Sequence, residues 1–157
     1  MNYSLSETQS FYHFSDDAGL TGKISYENIT INRFLAKAIG FPSAYVFSEL
    51  IGIANNSFFN CKIIDGKKFF SISYSNLIEI IEFVPPGVVT DCLMKLQKNG
   101  IIEKKEEPMY NDNHLYFCIN INKVNQLCFK QTGQDSRKRN VLLLEEKPYI
   151  DLEVLLG

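Results

Sequence analysis

Residues 83–105 read FVPPGVVTDCLMKLQKNGIIEKK, and this stretch decides the predicted fold. Proline is well tolerated in the first turn of a helix, so a helix is predicted to begin near Pro86. Apolar residues then recur at the three- and four-residue spacing of a buried helical stripe: Val89, Cys92, Leu93 and Leu96. Gly100 predicts the end of this helix, because glycine readily adopts the left-handed conformation that ends many helices. Residues 101–105 then read as a strand.

Two helices are predicted upstream of this stretch. Apolar spacing over residues 31–39 indicates the first helix, with Asn28 or Thr30 as its N-cap and Gly40 at its end. Ser43 is the predicted cap of the second helix. Because that second helix is apolar on most faces, we expect it to be central and buried.

A hairpin and a short helix are predicted next. Asp65 and Gly66 stand between two runs of apolar β-formers, which is a strong hairpin signal. Ser73 and Ser75 are candidate caps of a short helix over residues 76–82. This helix would be joined to the one at Pro86 by a turn.

A second hairpin follows residues 101–105. Residues 110–114 are predicted to be its turn, and residues 115–121 alternate as a half-buried strand does. A short helix is predicted after Asn122. The helix-turn-helix followed by a hairpin predicts an α+β winged helix-turn-helix fold, with two small antiparallel β-hairpins and short terminal arms.

Three segments are expected from these patterns. Residues 1–28 lack a sustained apolar period and read as an acidic and aromatic N-terminal arm. Residues 29–122 form the winged-helix domain, and residues 123–157 form a C-terminal basic loop and apolar tail. Residues 123–140 hold five bases and one acid.

Composition narrows the functional classes. The chain has 157 residues, of which 45% are hydrophobic and 22% charged, which suits one packed domain. A net charge of −2 excludes a uniformly basic nucleic-acid coat but allows a local basic patch. The N-terminus lacks the positive start and apolar run of a signal peptide, so we expect a cytoplasmic protein without a membrane partner.

Catalytic and metal-binding motifs are missing from the sequence. It contains no glycine-rich phosphate loop, no G-x-S-x-G and no H-E-x-x-H. Its two histidines, His13 and His114, are far apart, and its four cysteines lack the paired spacing of a zinc site. We therefore expect neither enzymatic activity nor a cofactor or metal.

Three stretches resemble a known family. NRFLAKAIGFPSAYVFSEL (32–50), DGKKFFSISYSNLIEII (65–81) and LMKLQKNGIIEKK (93–105) resemble the winged-helix domains of phage and plasmid replication proteins, of the replisome-organiser and replication-initiator type. The resemblance covers about residues 30–121. It implies a domain of a mobile genetic element that binds double-stranded DNA or a replisome protein.

The first hypothesis is that the domain binds double-stranded DNA in replication or transcription control. Lysines would contact phosphates, a helix N-terminus would assist, and a basic triplet would act as a flexible arm. The predicted DNA-binding residues are Lys67, Lys68, Tyr74, Ser75, Asn76, Thr90, Lys95, Lys98, Lys104, Lys105, Arg137, Lys138 and Arg139.

The second hypothesis is a protein-binding module that does not read DNA, such as a phage-borne inhibitor of a host system or a helicase-loader adaptor. The helix at Pro86 departs from a DNA-reading helix, because Asp91 has the wrong charge for phosphate and Met94 offers an adaptable apolar surface. The predicted contacts with a host or replisome protein, or with a second copy in a homodimer, are Val88, Met94, Tyr149, Leu152 and Leu155.

Overall fold

The computed structural model describes residues 10–14, 29–56, 61–109, 112–132 and 144–148. Their helices are α1 (Arg33–Ile39), α2 (Phe41–Asn56), α3 (Tyr74–Ile80), α4 (Pro86–Lys98) and α5 (Ile121–Thr132). Their strands are β1 (Ser10–Phe14), β2 (Cys61–Ile64), β3 (Lys67–Ser73), β4 (Ile102–Met109), β5 (Asp112–Ile119) and β6 (Leu144–Pro148). The predicted α+β class is confirmed.

The two predicted hairpins are joined in one sheet. The β2–β3 and β4–β5 pairs form a four-stranded antiparallel sheet of order β2-β3-β5-β4. Phe70 of β3 lies opposite Phe117 of β5, and their rings are 5.8 Å apart between centroids. Because both hairpins carry large apolar side chains on the same face, joining them buries one continuous apolar surface. Both predicted hairpins are present, and their union in one sheet was not predicted.

Helix α2 lies at the centre of the core, as its composition predicts. Ten of its side chains are buried, including those of Phe47 and Leu50. Helix α4 packs against α2 with the predicted stripe, and Val89, Cys92, Leu93 and Leu96 are all buried. Val124 and Cys128 of α5 belong to the same core.

The first two helices begin where the sequence did not predict. Asn32, not Asn28 or Thr30, caps α1, because its Oδ1 accepts hydrogen bonds from the amides of Phe34 and Leu35 at 2.9 and 3.1 Å. Gly40 ends α1 with a φ of 90°, and α2 begins at the next residue. Ser43 is consequently buried inside α2 and is not its cap.

Helix α3 spans Tyr74–Ile80, two residues earlier than the predicted 76–82, although its cap was among the predicted candidates. Ser73 caps α3 through a 3.2 Å hydrogen bond that its Oγ accepts from the Asn76 amide. Gly100 follows α4 with a φ of 74°. Asn113 and His114 lie in strand β5, so the predicted turn over residues 110–114 was too wide.

A second, two-stranded sheet joins residues from the two ends of the chain. Strands β1 and β6 pair antiparallel, with Tyr12 opposite Glu146 and Phe14 opposite Leu144. Tyr12, Phe14 and Leu144 are buried in the same core as α2 and α4. Within the described ranges, no helix has the length and apolar character needed to cross a membrane.

Candidate nucleic-acid interface

Helix α4 presents a polar surface opposite its buried stripe. Thr90, Asp91, Lys95 and Lys98 are exposed, and the side chain of Met94 is 59% exposed. This mixture follows from the helical period, which places residues 90, 91, 94 and 98 away from the core. The helix thus offers one acid, two bases and a methionine to a partner. Val88, in contrast, is half-buried and packs against the core.

Lys95 extends from α4 to the junction of α1 and α2. A Cβ atom built on Gly40 would lie 3.6 Å from the Lys95 Nζ. The ammonium therefore lies beside the C-terminal end of α1, where the helix dipole favours a positive charge. Lys37 lies in the last turn of α1, with its Nζ 5.7 Å from the centroid of the Phe34 ring.

Lys123 connects α5 to the end of α4. A Cβ atom built on Gly100 would lie 3.6 Å from the Lys123 Cγ, so the lysine side chain runs along the turn that follows α4. Lys98 lies two residues before that turn, in the last turn of α4. We call Lys95, Lys98 and Lys123, which lie in or beside the last turn of α4, the basic face.

Charge is unevenly distributed among the described helices. Helices α1, α4 and α5 carry six basic residues and one acidic residue, which are Arg33, Lys37, Lys95, Lys98, Lys123, Lys130 and Asp91. Helices α2 and α3 carry the two acids Glu49 and Glu79 and no base. Because α1 and α5 pack against each other, their bases lie on neighbouring helices. These three helices therefore carry a net positive charge, which favours an anionic partner.

The predicted hairpin lysines have partners within the chain. Lys67 Nζ lies 2.9 Å from Glu103 Oε2, and the hydrogen bond to Glu103 raises the pKa of Lys67. Lys68 Nζ lies 2.6 Å from Glu146 Oε1, which connects the four-stranded sheet to β6. Phosphate contact by either lysine would compete with a carboxylate that is already in place.

Strand β4 carries two further lysines that were predicted to bind DNA, Lys104 and Lys105. Lys105 Nζ is 5.1 Å from the centroid of the buried Phe69 ring, a cation–π distance. Both Lys104 and Lys105 are half-buried. Pairing of β4 with β5 places residues 103 and 105 on one face of the sheet and residue 104 on the other. The structure thus separates two lysines that are adjacent in sequence.

The remaining predicted site residues lie either in the first turn of α3 or outside the described part of the chain. Ser75 and Asn76 are exposed and Tyr74 is half-buried, all in the first turn of α3. The Ser75 Oγ lies 3.4 Å from the Oγ of the cap residue Ser73. Six predicted residues lie outside the described part of the chain, namely Arg137, Lys138, Arg139, Tyr149, Leu152 and Leu155.

Sequence reasoning missed four bases of this region. Arg33, Lys37, Lys123 and Lys130 were not selected as site residues, although two of them belong to the basic segment 123–140. Helical periodicity could have placed each on an exposed face. Only helix packing could bring Lys123 beside the last turn of α4.

The cysteines and histidines form no metal site in the part of the chain that is described. Cys61, Cys92, Cys118 and Cys128 are free thiols. No group of three or more metal-binding side chains comes together among the described residues.

The fold and the basic face define an α+β domain with a cationic helical surface. Comparisons with protein-family models, curated proteins and solved structures find no match for this chain. What the domain does must therefore be inferred from its own residues.

Proposed function

We propose that this chain is a winged-helix protein of a mobile genetic element that binds duplex DNA in replication or transcription control. The order of elements supports the scaffold: α3 and α4 are separated by residues 81–85, and the β4–β5 hairpin follows α4. Strand β5 lies between β3 and β4. A helix-turn-helix followed by such a hairpin is the arrangement by which winged helices approach DNA.

The observation that carries the proposal is the convergence of lysines at the basic face. Helices α4 and α5 supply them, and Asp91 is the one acidic residue on those two helices. Bringing like charges together costs electrostatic free energy in the free protein. A polyanion such as the DNA backbone removes that cost and releases its own counterions on binding.

Helix α4 favours phosphate contact over base readout. Its first turn contains Pro86, Gly87 and Val88, which lack the side-chain donors that read base edges. Its cations lie in the last turn, where Lys95 and Lys98 can reach phosphates. We therefore propose weakly sequence-selective binding to the DNA backbone.

Fluorescence anisotropy with a labelled random duplex, at several salt concentrations, tests the proposal on the full chain. If two to four phosphates are neutralised, log K should fall against log salt with a slope of about −2 to −4. Lys98→Gln/Lys123→Gln should weaken binding and reduce the slope by up to about 2. Absence of binding at low salt would refute the proposal.

The matched control removes two charges from another surface. Lys62 and Lys67 lie on the β2–β3 hairpin, where Lys62 Nζ is 5.3 Å from the Tyr116 ring centroid. Lys62→Gln/Lys67→Gln should leave the salt slope unchanged. Equal weakening by both double variants would show that net charge or the hairpin lysines contribute as much as the basic face, which would then not be a distinct site.

Protein binding by α4 is the second candidate function. The exposed Met94 favours it, because a flexible thioether adapts to apolar partner surfaces. The partner would be a host or replisome protein, or a second copy in a homodimer. Sedimentation velocity over a range of concentrations tests the homodimer, for which a constant monomer mass would be the contrary result.

A further inference from the structure

Exposed aromatic side chains lie at the start of α2 and in the turn before α4. Phe83, in the turn between α3 and α4, is 78% exposed, and Phe41 at the start of α2 is 63% exposed. The Phe83 ring packs edge-on against Tyr45 with centroids 5.7 Å apart. Phe41 and Tyr45 are one helical turn apart, so they share a face of α2. We call Phe41, Tyr45 and Phe83 the aromatic patch.

Tyr45 holds Phe83 in place. Its ring is buried, and its hydroxyl donates a 3.4 Å hydrogen bond to Glu49 Oε2. Burial and the Glu49 charge raise the pKa of Tyr45, whereas the backbone amides of Phe83 and Glu82 face the hydroxyl and act to lower it. The exposed Phe83 ring is therefore presented by a turn that is attached to α2.

Two carboxylates lie beside residues of the aromatic patch: Glu49 accepts the Tyr45 hydrogen bond, and Glu82 precedes Phe83 in the chain. Burial raises the pKa of Glu49, the Tyr45 hydrogen bond lowers it, and the charge of Glu82 raises it again. No salt bridge within the described ranges involves Glu49 or Glu82. A partner that covered them with apolar groups alone would desolvate two charges without compensation.

We propose that the aromatic patch binds a basic amphipathic helix of a partner protein. Its apolar face would cover Phe83 and Phe41, while a lysine or arginine would pair with Glu49 and Glu82. DNA is unsuited to this surface because its phosphates would meet carboxylates.

The first test titrates a labelled 14-residue model helix of leucine and lysine into the full chain, with fluorescence anisotropy as the readout. A helix with the same leucines and glutamate in place of lysine is the charge control. We expect binding of the lysine peptide and none of the glutamate peptide. Equal binding of both peptides, or of neither, would overturn the proposal.

Side-chain variants locate the binding surface. Phe83→Ser should weaken the affinity about tenfold or more, as for an interface anchor. Ile63→Ser is the matched control, because Ile63 is a 60% exposed apolar side chain on β2. Circular dichroism establishes that both variants fold, and Phe83→Leu, which keeps an apolar side chain, should bind with intermediate affinity. Equal loss in the two serine variants would overturn the proposal.

Charge variants test the pairing itself. Glu49→Gln/Glu82→Gln keeps a hydrogen-bond acceptor near Tyr45 and should lower affinity severalfold, whereas Asp65→Asn/Asp91→Asn removes two charges elsewhere and should not. Equal effects would show that net charge alone attracts the peptide. If sedimentation shows a dimer that Phe83→Ser dissociates, a second copy occupies the patch and the proposed partner is wrong.

Discussion

The side-chain amide of Asn55 forms two hydrogen bonds with the backbone of Tyr12, as the backbone of a neighbouring strand would. The Tyr12 amide donates to Asn55 Oδ1 at 2.6 Å, and Asn55 Nδ2 donates to the Tyr12 carbonyl at 2.9 Å. Asn125 of α5 binds Leu144 of β6 in the same way, at 2.7 and 3.0 Å. Two helices thus satisfy backbone groups of both strands in the β1–β6 sheet, which attaches this small sheet to the core.

Removing the Asn125 amide should destabilise the protein. Asn125→Ala leaves the amide and carbonyl of Leu144 without these partners, and we expect a loss of about 1–3 kcal/mol in the free energy of unfolding. Urea denaturation followed by circular dichroism measures it. Asn122→Ala, an exposed position on the same helix, is the control and should change stability by less than about 0.5 kcal/mol. Equal effects would show that the paired amide contributes nothing.

Two glycine substitutions should have opposite effects on stability. Gly100 has a φ of 74°, so Gly100→Ala should cost about 1–2 kcal/mol. Gly52 lies inside α2, and a Cβ atom there would meet nothing within 4 Å. Gly52→Ala should therefore stabilise the protein by up to about 1 kcal/mol. Thermal melting of both variants checks the prediction, and a change of the same sign in both would contradict it.

Ionisation of Cys128 should lower stability at alkaline pH. Burial raises the pKa of this thiol from 9.0 to about 11. The folded state then keeps the proton to a higher pH than the unfolded chain, so stability falls as pH rises through this window. The loss that Cys128 contributes should be up to about 2–3 kcal/mol.

The matched variant for this pH dependence is Cys128→Ala. It should be less stable at neutral pH, because a buried side chain is shortened, but should show a shallower decline from pH 9 to 11. Urea denaturation at several pH values gives both quantities. An identical decline in the variant would assign the pH dependence to other groups.

The basic triplet outside the described residues is a separate candidate for DNA contact. Reversing the charges of Arg137, Lys138 and Arg139 should weaken binding to random duplex by an increment that shrinks at high salt. Anisotropy titration at two salt concentrations measures this increment. An unchanged affinity would remove the triplet from the DNA-binding site.

Met94→Glu distinguishes the two candidate functions of α4. An added carboxylate at this exposed apolar position should strongly weaken binding to a protein partner. The affinity for duplex DNA should fall only modestly, by an amount that depends on salt. Anisotropy with DNA and sedimentation of the full chain give the two readouts. If neither changes, this side of α4 contacts neither DNA nor a second copy.

The sequence alone determined the local elements. The buried stripe of α4, the left-handed Gly100 and the cap at Ser73 follow from periodicity and backbone conformation, which act over a few residues. The central position of α2 was also predictable, because a helix that is apolar on most faces must be covered on most faces.

Only the tertiary structure decided which charges lie together. The sequence predicted that Lys67 and Lys68 contact DNA phosphates, but pairing of distant strands placed Glu103 and Glu146 beside them. Helix packing likewise brought Lys123 to the end of α4. Sequence patterns report which side of an element is polar, whereas the partner of each polar group depends on contacts between residues far apart in the chain. For this reason the fold class was predictable from sequence, and the composition of the basic face was not.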